Sequence, residues 1–324
     1  MFDVYGIGNA IVDVITEVDE EFLVEASLDK GSMTLIDENQ VKMLDRAIHS
    51  YSKIKMSGGS AANTIFAAQS FGCETAYACK ISTDENGKHF VKTFETSGIP
   101  IDSRCIKNQG QSGQCFVFVT PDAERTMATN LGVSENLDKE CIDQKLITQA
   151  KTIYIEGYLA TSIESSQTAK DAIEMARDAG AEIAVTLSDA SVVTNFRDTI
   201  ESFTEKGLDL LFCNEEECLV WAKTDRMDIA ITALRGIAKE AYVTLGSRGS
   251  IAISKDRVIE VNSEKVIPVD TNGAGDMYAG ACLYARSKNL DSKATAAFAN
   301  KCAASIVQEY GARLENTKKY QDLI

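Results

Sequence analysis

The stretch DTNGAGDMYAGA, Asp270 to Ala281, sets two glycines around one alanine and puts an aspartate, Asp276, directly after the second glycine. A short apolar run, Val266 to Val269, precedes it, and the residues after it are typical of a helix. A strand, a glycine-rich turn and a helix start together form an anion site, because unpaired backbone amides converge there and the helix dipole favours negative charge. A carboxylate beside such a turn needs a reason. Helix capping is one explanation, because aspartate is a preferred N-cap residue.

Two common phosphate-binding motifs do not fit this turn. The Walker A motif requires Lys-Ser or Lys-Thr after the glycines, where this chain has Asp276 and Met277, and the dinucleotide fingerprint requires a third glycine, where it has Tyr278. Phosphoryl transfer needs mainly positioning, charge stabilisation and one base near the nucleophile. The turn suits that chemistry: its amides would hold the phosphoryl group while the carboxylate takes the proton of an attacking hydroxyl.

Composition and charge narrow the class of protein. The chain has 324 residues and a formal charge of −15, which argues against nucleic acid and anionic membranes as partners. Nine cysteines include no C-x-x-C pair, so neither a disulfide framework nor a zinc ribbon is indicated. No basic leader and no apolar run of about 18 residues occur, so we expect a cytoplasmic protein. With only two histidines, the chemistry is expected from carboxylates, backbone amides and basic side chains.

The order of predicted elements indicates one α/β domain over residues 1–324. KTIYIEGYL, SSQTAKDAIEMARDAG and EIAVTLS, for example, form a strand, a helix and a strand, and such alternation predicts parallel strands joined by crossover helices. QCFVFVTPDAERTMATN instead predicts a β-hairpin that turns at Pro121 and Asp122. The segments near 14–36 and 112–130 do not fit the alternation, and we expect them to form a small separate sheet.

Two motifs together carry a resemblance to a known family. DTNGAGDMYAGA resembles the C-terminal signature of the ribokinase-like (PfkB-type) sugar and nucleoside kinases, and GGSAANTIFAAQSFG, Gly58 to Gly72, resembles the family's second signature. They occur in the family's order, and further motifs extend the resemblance over nearly the whole chain. It implies a doubly wound, mostly parallel α/β sheet flanked by helices, with a small β-sheet lid at about 14–36 and 112–130 that closes to exclude water.

The resemblance also implies an ATP-dependent kinase that phosphorylates a primary hydroxyl with Mg²⁺. Asp276 would be the catalytic base, and the backbone amides of Gly273, Ala274 and Gly275 would form the anion hole. Arg125 lies on the predicted lid hairpin. It would either steady the transferred phosphate, the role that we favour, or pair with Glu124.

Hydroxyl-binding residues follow from the same resemblance. A carboxylate and an amide suit vicinal hydroxyls, because they accept and donate at short range. By the residues alone, Asp13 in its apolar run is a plain exposed strand position. The family resemblance instead implies ribose-hydroxyl contacts from Asn9, Asp13, Gly58, Gly59 and Asn63.

Nucleotide and metal contacts are implied by further motifs. CNEEE is an acidic helix start that the dipole favours, and it also matches the family's N-x-x-E motif, in which Glu217 acts on Mg²⁺ through water. Asn300 would lie beside the adenine of ATP or be an ordinary polar helix position. The implied nucleotide contacts are Asn214, Thr244, Gly246, Gly249 and Asn300. Asp270 and Asn272 resemble part of a K⁺ site that only some members use.

GNAIVDV, KGSMTLID and GQCFVFVTPDAERTM are most similar to the adenosine-kinase branch, so we expect conversion of adenosine to AMP. Ala10 replaces a proline of the eukaryotic members, and Leu159 stands where those members pack an aromatic residue on the base. Tyr158 or Phe116 are candidates to replace that ring. A fructose-, ribose- or inosine-type kinase is the alternative.

Two other classes of protein compete with a kinase. GIGNAI after a strand, with Asp29 further on, is a partial NAD(P) fingerprint, but Ile11 replaces its third glycine. A binding protein without catalysis is the other class, and the intact turn with Asp276 argues against it. The expected partners are a small-molecule substrate and ATP. Adenosine-kinase-like members are monomers and ribokinases dimers through the lid, and both states stay open.

Overall fold

The computed structural model describes residues 1–122 and 124–324, so residue 123, in the predicted hairpin turn, lies outside the described residues. The strands are β1 (Phe2–Ile7), β2 (Ile11–Glu17), β3 (Met33–Leu35), β4 (Ile54–Gly58), β5 (Thr75–Ala78), β6 (Ile81–Ser82), β7 (Ile106–Lys107), β8 (Gly113–Val119), β9 (Arg125–Asn130), β10 (Ala150–Glu156), β11 (Glu182–Thr186), β12 (Leu208–Asn214), β13 (Ala238–Thr244), β14 (Ser250–Ser254) and β15 (Val258–Val261). The helices are α1 (Glu20–Glu25), α2 (Glu38–Ala47), α3 (Ser60–Phe71), α4 (Glu85–Thr96), α5 (Gln144–Gln149), α6 (Ile163–Ala179), α7 (Ala190–Asn195), α8 (Arg197–Thr204), α9 (Glu215–Ala222), α10 (Met227–Arg235), α11 (Ala274–Ser287), α12 (Ser292–Ile306) and α13 (Thr317–Gln321).

The large sheet has the order β15-β14-β13-β12-β11-β10-β1-β5. The neighbouring strands β5, β1, β10, β11, β12 and β13 run parallel. At the other edge, β14 and β15 add an antiparallel hairpin. Both faces are buried: Ile153 and Ile155 pack with α5 to α10, whereas Tyr154 between them packs with α3, α4 and α11 to α13. Side chains of a strand alternate between the two faces of a sheet, so helices on both faces require strands that are apolar throughout. The predicted doubly wound sheet is confirmed.

The small sheet has the order β3-β9-β8-β2-β4. Its outer face packs on α1 and α2 through a separate apolar cluster that includes Val14, Phe22, Phe116 and Phe118. Its strands come from the segments near 14–36 and 112–130, and also from β4, which the sequence did not indicate. The inner face carries the alternate side chains, and these line a cavity.

The apolar run before the glycine turn is not a strand, which corrects the expectation of a strand, turn and helix. Residues 262–269 have no regular structure, and Ile267 is 86% exposed. Pro268 cannot donate to a sheet, and β15 already ends the large one. The backbone amides of Val269 and Asp270 instead donate to the carbonyl of Val307 at 2.7 and 3.1 Å, so the C-terminus of α12 holds the turn.

Among residues 1–122 and 124–324, the longest helices are too short or too polar to cross a bilayer.

Candidate active site

A cavity of about 580 Å³ lies between the large sheet and the inner face of the small sheet. Its floor is formed where parallel strands end, at Glu156 of β10, Thr186 of β11, Asn214 of β12 and Thr244 of β13. Open α/β sheets bind ligands outside the carboxyl ends of their strands. The glycine turn and the first residues of α11, together residues 271–276, form one wall.

The glycine turn itself begins α11. Gly273 is the N-cap in the left-handed conformation with φ of 73°, and a Cβ there would lie 2.5 Å from the Cβ of Ala312. Only glycine fits both conditions. Within the described residues no side chain caps α11, and residues 273–276 line the cavity; Ala274 N lies 3.3 Å from the carbonyl of Thr271. Asp276 is the third helical residue, and the interpretation of this aspartate as the N-cap is therefore wrong.

Asp276 is held by two side chains of α3. The Ser60 hydroxyl donates to its Oδ1 at 2.7 Å, and Asn63 Nδ2 donates to its Oδ2 at 3.0 Å. Burial raises the pKa of Asp276 to about 6, and this rise is opposed by the bonds from Ser60 and Asn63 and by the charge of Arg313. The carboxylate lies deep in the protein yet keeps some accessibility from the cavity. It is therefore mostly ionised at pH 7 and able to accept a proton.

The predicted hydroxyl-binding residues come together beside Asp276. The cavity lining includes Asn9, Asp13, Gly59 and Asn63. Gly58 lies behind Asp13, since a Cβ on Gly58 would be 2.6 Å from an Asp13 carboxylate oxygen. Burial raises the pKa of Asp13 to about 7, while Arg313 and Arg125 oppose the rise. Asp13 is thus not the exposed strand position that the residues alone suggested.

Glu156 is a buried site residue that the sequence reasoning missed. Its oxygens accept from the backbone amides of Asn9 and Ala61, each at 2.7 Å, so it joins the loop after β1 to the first turn of α3. The side chain is 0% exposed, and burial raises its pKa to about 7. A glutamate at the end of the apolar run TIYIE was the available signal, because buried carboxylates need partners.

The three residues considered for the contact with the base, Tyr158, Leu159 and Phe116, lie in different surroundings. Tyr158 lines the cavity, whereas Leu159 is buried in the core of the large sheet, and Phe116 packs in the outer cluster of the small sheet. Tyr158 and Leu159 lie next to each other in a short 3-10 helix, Gly157–Thr161, so their side chains leave it in different directions and Leu159 turns into the core. The inner face of the small sheet adds an apolar surface from Ile11, Met33, Leu35, Val117 and Met127.

Only part of the predicted nucleotide set lines the cavity. Asn214, Glu217 and Thr244 do so. Gly246 and Gly249 lie outside the lining, in the turn before β14. Asn300 is also outside it, and its Nδ2 donates to the Val261 carbonyl at 2.8 Å, which ties α12 to β15.

Glu217 and Asn214 form a capping box at the start of α9. Glu217 N donates to Asn214 Oδ1 at 2.8 Å, and Asn214 N donates to Glu217 Oε2 at 3.2 Å. The Asn214 side chain adds a bond from Nδ2 to Glu217 Oε1 at 2.6 Å. Burial raises the pKa of Glu217 to about 7. In the part of the chain that the structure describes, no cluster of three or more metal-ligating His, Cys, Asp or Glu side chains occurs. A single carboxylate that acts through water fits Mg²⁺, which keeps most of its own waters.

Asp270 does not fit a K⁺ site through its carboxylate. Its oxygens already accept from Asn272 N at 3.0 Å and Gly311 N at 2.6 Å, and Arg125 Nη2 lies 2.5 Å from Oδ2. A cation would have to displace the guanidinium. The same contact contradicts the alternative pairing of Arg125 with Glu124, because Arg125 pairs with Asp270. Arg125 does not line the cavity, and its contact with the transferred phosphate stays a prediction.

A model of the pfkB family of carbohydrate kinases, described as "pfkB family carbohydrate kinase", matches residues 38–319. The chain belongs to this family. The NAD(P) oxidoreductase hypothesis is wrong, because the residues after GIGNAI continue as β2 and no helix starts there to hold a pyrophosphate.

Solved structures confirm the ribokinase-like fold of this pfkB-family member. The adenosine kinase of Sinorhizobium meliloti superposes with a TM-score of 0.90 at 30% identity, over 99% of this chain and 98% of that one. A probable sugar kinase of Rhizobium etli gives 0.89 at 28% identity, over 100% and 99%. Adenosine kinase 2 of Arabidopsis thaliana is 27% identical over 300 residues, 85% of each chain. Nucleoside and sugar kinases are thus about equally similar to it.

Proposed function

We propose that this pfkB-family protein transfers the γ-phosphoryl group of ATP to the primary hydroxyl of adenosine, with Asp276 as the base. One observation carries the proposal: the Asp276 carboxylate, held by Ser60 and Asn63, lies in the first turn of α11, whose start has no side-chain cap and lines the cavity. Proton acceptance and anion binding are then available within one turn of helix.

The reaction needs few steps. The acceptor hydroxyl oxygen bonds to the γ-phosphorus, its proton passes to Asp276, and the bond to the bridging oxygen breaks to release ADP. The amides of Gly273, Ala274 and Gly275 would stabilise the charge on the transferred group. Mg²⁺ would neutralise phosphate charge, with Glu217 holding it through water. The small sheet would act as the lid that excludes water during transfer.

The acceptor side favours a nucleoside over a bare sugar. Asp13, Asn9 and Asn63 offer the acceptors and donors that vicinal hydroxyls require, and a sugar of either kind uses these. The apolar inner face of the small sheet, with Tyr158, provides a surface that only a base would cover. Adenosine is therefore the proposed substrate, and a ribose- or fructose-type sugar is the second candidate, favoured by the similarity to the Rhizobium etli protein.

A panel assay tests the proposal. The purified protein with ATP and Mg²⁺ is given adenosine, inosine, guanosine, ribose and fructose, and Asp276→Asn is assayed beside it. We expect adenosine to show the highest kcat/KM and the variant to lose most activity. A bare sugar as best substrate would overturn the nucleoside assignment and keep the chemistry. Tight binding without turnover of any acceptor would favour the binding-protein alternative.

A further inference from the structure

Arg313 is a buried cation close to the site that no motif assigned. It lies in EYGARLE, the loop after α12, and is 7% exposed. Its guanidinium packs over the rings of Phe66 and Phe94, with 4.3 and 5.3 Å to their centroids. Among the described residues, its two terminal nitrogens have no hydrogen-bond partner. Burial lowers the pKa of Arg313 to about 10, so the group stays charged at pH 7.

The third nitrogen makes the informative contact. Arg313 Nε donates to Asn63 Oδ1 at 2.9 Å. A guanidinium can only donate, so the amide oxygen of Asn63 must face Arg313 and its NH₂ must face the other way. On that other side Asn63 Nδ2 donates to Asp276 Oδ2 at 3.0 Å. Without the guanidinium, the amide could turn over and present its oxygen to the carboxylate.

The loop that carries Arg313 is fixed against the glycine turn. Gly311 N donates to Asp270 Oδ2 at 2.6 Å, and Ala312 occupies the space that a side chain on Gly273 would need. The residue that orients Asn63 therefore comes from the same short loop that supports the start of α11. Small displacements of reacting groups are costly in catalysis, so such support is expected to matter.

We propose, on the basis of the proposed kinase function, that Arg313 is a positioning residue for Asp276. It acts through Asn63, whose side-chain amide it orients so that the carboxylate is held toward the glycine turn.

The charges near Asp276 agree with this role. Arg313 opposes the rise in the pKa of Asp276 that burial causes. The carboxylates of Asp13 and Glu156 face the same region, and the negative charge of Asp276 raises the pKa of each. The phenols that face it are Tyr77, Tyr154 and Tyr158. Removal of Arg313 would leave these acidic groups with less compensation.

The first test compares Arg313→Met and Arg313→Lys with a matched control, Arg197→Met. Arg197 also packs on an aromatic ring, 4.8 Å from the Trp221 centroid, and donates to the Trp221 carbonyl at 2.7 Å, away from the cavity. For Arg313→Met we expect kcat to fall about 10- to 100-fold with little change in the acceptor KM. The acid limb of the pH profile of kcat should move up by about one pH unit. Arg313→Lys should restore the acid limb more than the rate, because it keeps the charge and loses the fixed Nε donor.

A double-mutant cycle tests the route through Asn63. If Arg313 acts through that amide, Arg313→Met should add little to the loss in kcat that Asn63→Ala causes alone. Independent, multiplicative losses would overturn the proposal. So would wild-type kcat and an unshifted acid limb in Arg313→Met.

A readout without turnover separates this inference from the proposed function. Carboxyl ¹³C NMR, with Asp276→Asn to assign the signal, gives the pKa of Asp276 in the wild type and in folded Arg313→Lys and Arg313→Met. A higher pKa in Arg313→Met than in Arg313→Lys supports the proposal even if no acceptor is phosphorylated. Equal values in wild type and both variants overturn it even in an active kinase.

Discussion

Two helices of this protein begin in the same way and differ in what meets their first amides. Both α3 and α11 have a glycine N-cap with positive φ, Gly59 at 101° and Gly273 at 73°, and neither has a side-chain cap from that residue. At α3 the carboxylate of Glu156 accepts from Ala61 N. At α11, among the described residues, no side chain caps the helix, and residues 273–276 line the cavity. The start of α3 is occupied by a carboxylate of the protein, and the start of α11 is left open. Two similar local sequences therefore differ in function, and only the start of α11 is a candidate phosphate site.

Asp276→Asn changes the start of α11 and has the largest expected effect on activity. Asparagine keeps the shape but cannot take the proton, so kcat should fall about 1000-fold in a steady-state assay. The free energy of unfolding should not fall, because the variant no longer buries a charged carboxylate. Asp291→Asn, at the N-cap of α12, is the control that should keep activity. An Asp276→Asn variant within tenfold of wild type would exclude this residue as the base.

Gly275→Ala and Gly273→Ala should separate the anion site from the fold. A Cβ at Gly275 would meet no atom within 4 Å, so the helix tolerates it, but the methyl group enters the cavity. We expect kcat to fall about 100-fold, as for loss of one anion-hole donor, with unchanged melting temperature. Gly273→Ala should lose activity and also about 1–3 kcal/mol of stability, because its φ is positive. Full activity in Gly275→Ala would contradict the anion hole.

Glu156→Gln should weaken the contacts at the start of α3. A glutamine places an NH₂ against one of the two amides that now donate to the carboxylate, Asn9 N or Ala61 N. One donor is left unsatisfied, which costs about 1–3 kcal/mol of folding free energy. Asn9 should move with it, so we expect the acceptor KM to rise about tenfold with less change in the ATP KM. Unchanged denaturation and KM would show that the carboxylate does not hold these two segments together.

The pH dependence should run in opposite directions for activity and stability. The folded-state pKa of Asp276, about 6, implies that kcat falls about fourfold from pH 7.5 to 5.5, as the base is protonated. Asp13, Glu156 and Glu217 have pKa values raised to about 7, so the folded state binds more protons than the unfolded state between about pH 4.5 and 7. Stability should therefore decrease as pH rises through that window. Urea denaturation that shows higher stability at pH 7.5 than at 5.5 would contradict the raised values.

Tyr158→Leu gives the smallest expected effect and sharpens the acceptor assignment. Loss of the ring should raise the KM for adenosine about threefold, because stacking on an aromatic face contributes about 0.7 kcal/mol, and leave the KM for ribose unchanged. Leu159→Ala is the matched neighbour: it should lose about 2–5 kcal/mol of stability and keep the KM. Equal effects on adenosine and ribose would remove Tyr158 from the base contact.

Much of this site was predictable from local patterns. The alternation of strands and helices predicted the large sheet, and DTNGAGDMYAGA located the turn and Asp276. Local patterns failed where contacts are distant in sequence. Glu156 is 147 residues from Asn9, and Arg313 is 250 residues from Asn63. Arg125 was expected to steady the transferred phosphate or to pair with its neighbour Glu124, and the structure pairs it instead with Asp270, which is distant in sequence.

The sequence by itself determined the family, the alternation of strands and helices and the two glycine helix starts, since these depend on residues close together in the chain. Only the tertiary structure decided which start is open. Glu156 reaches α3 because β10 ends beneath that helix, whereas the loop that carries Gly311 and Arg313 packs against the glycine turn and leaves residues 273–276 in the cavity lining. Both helix starts carry the same partial charge. Which of them can accept an anion depends on the carboxylate that the fold places against one and withholds from the other.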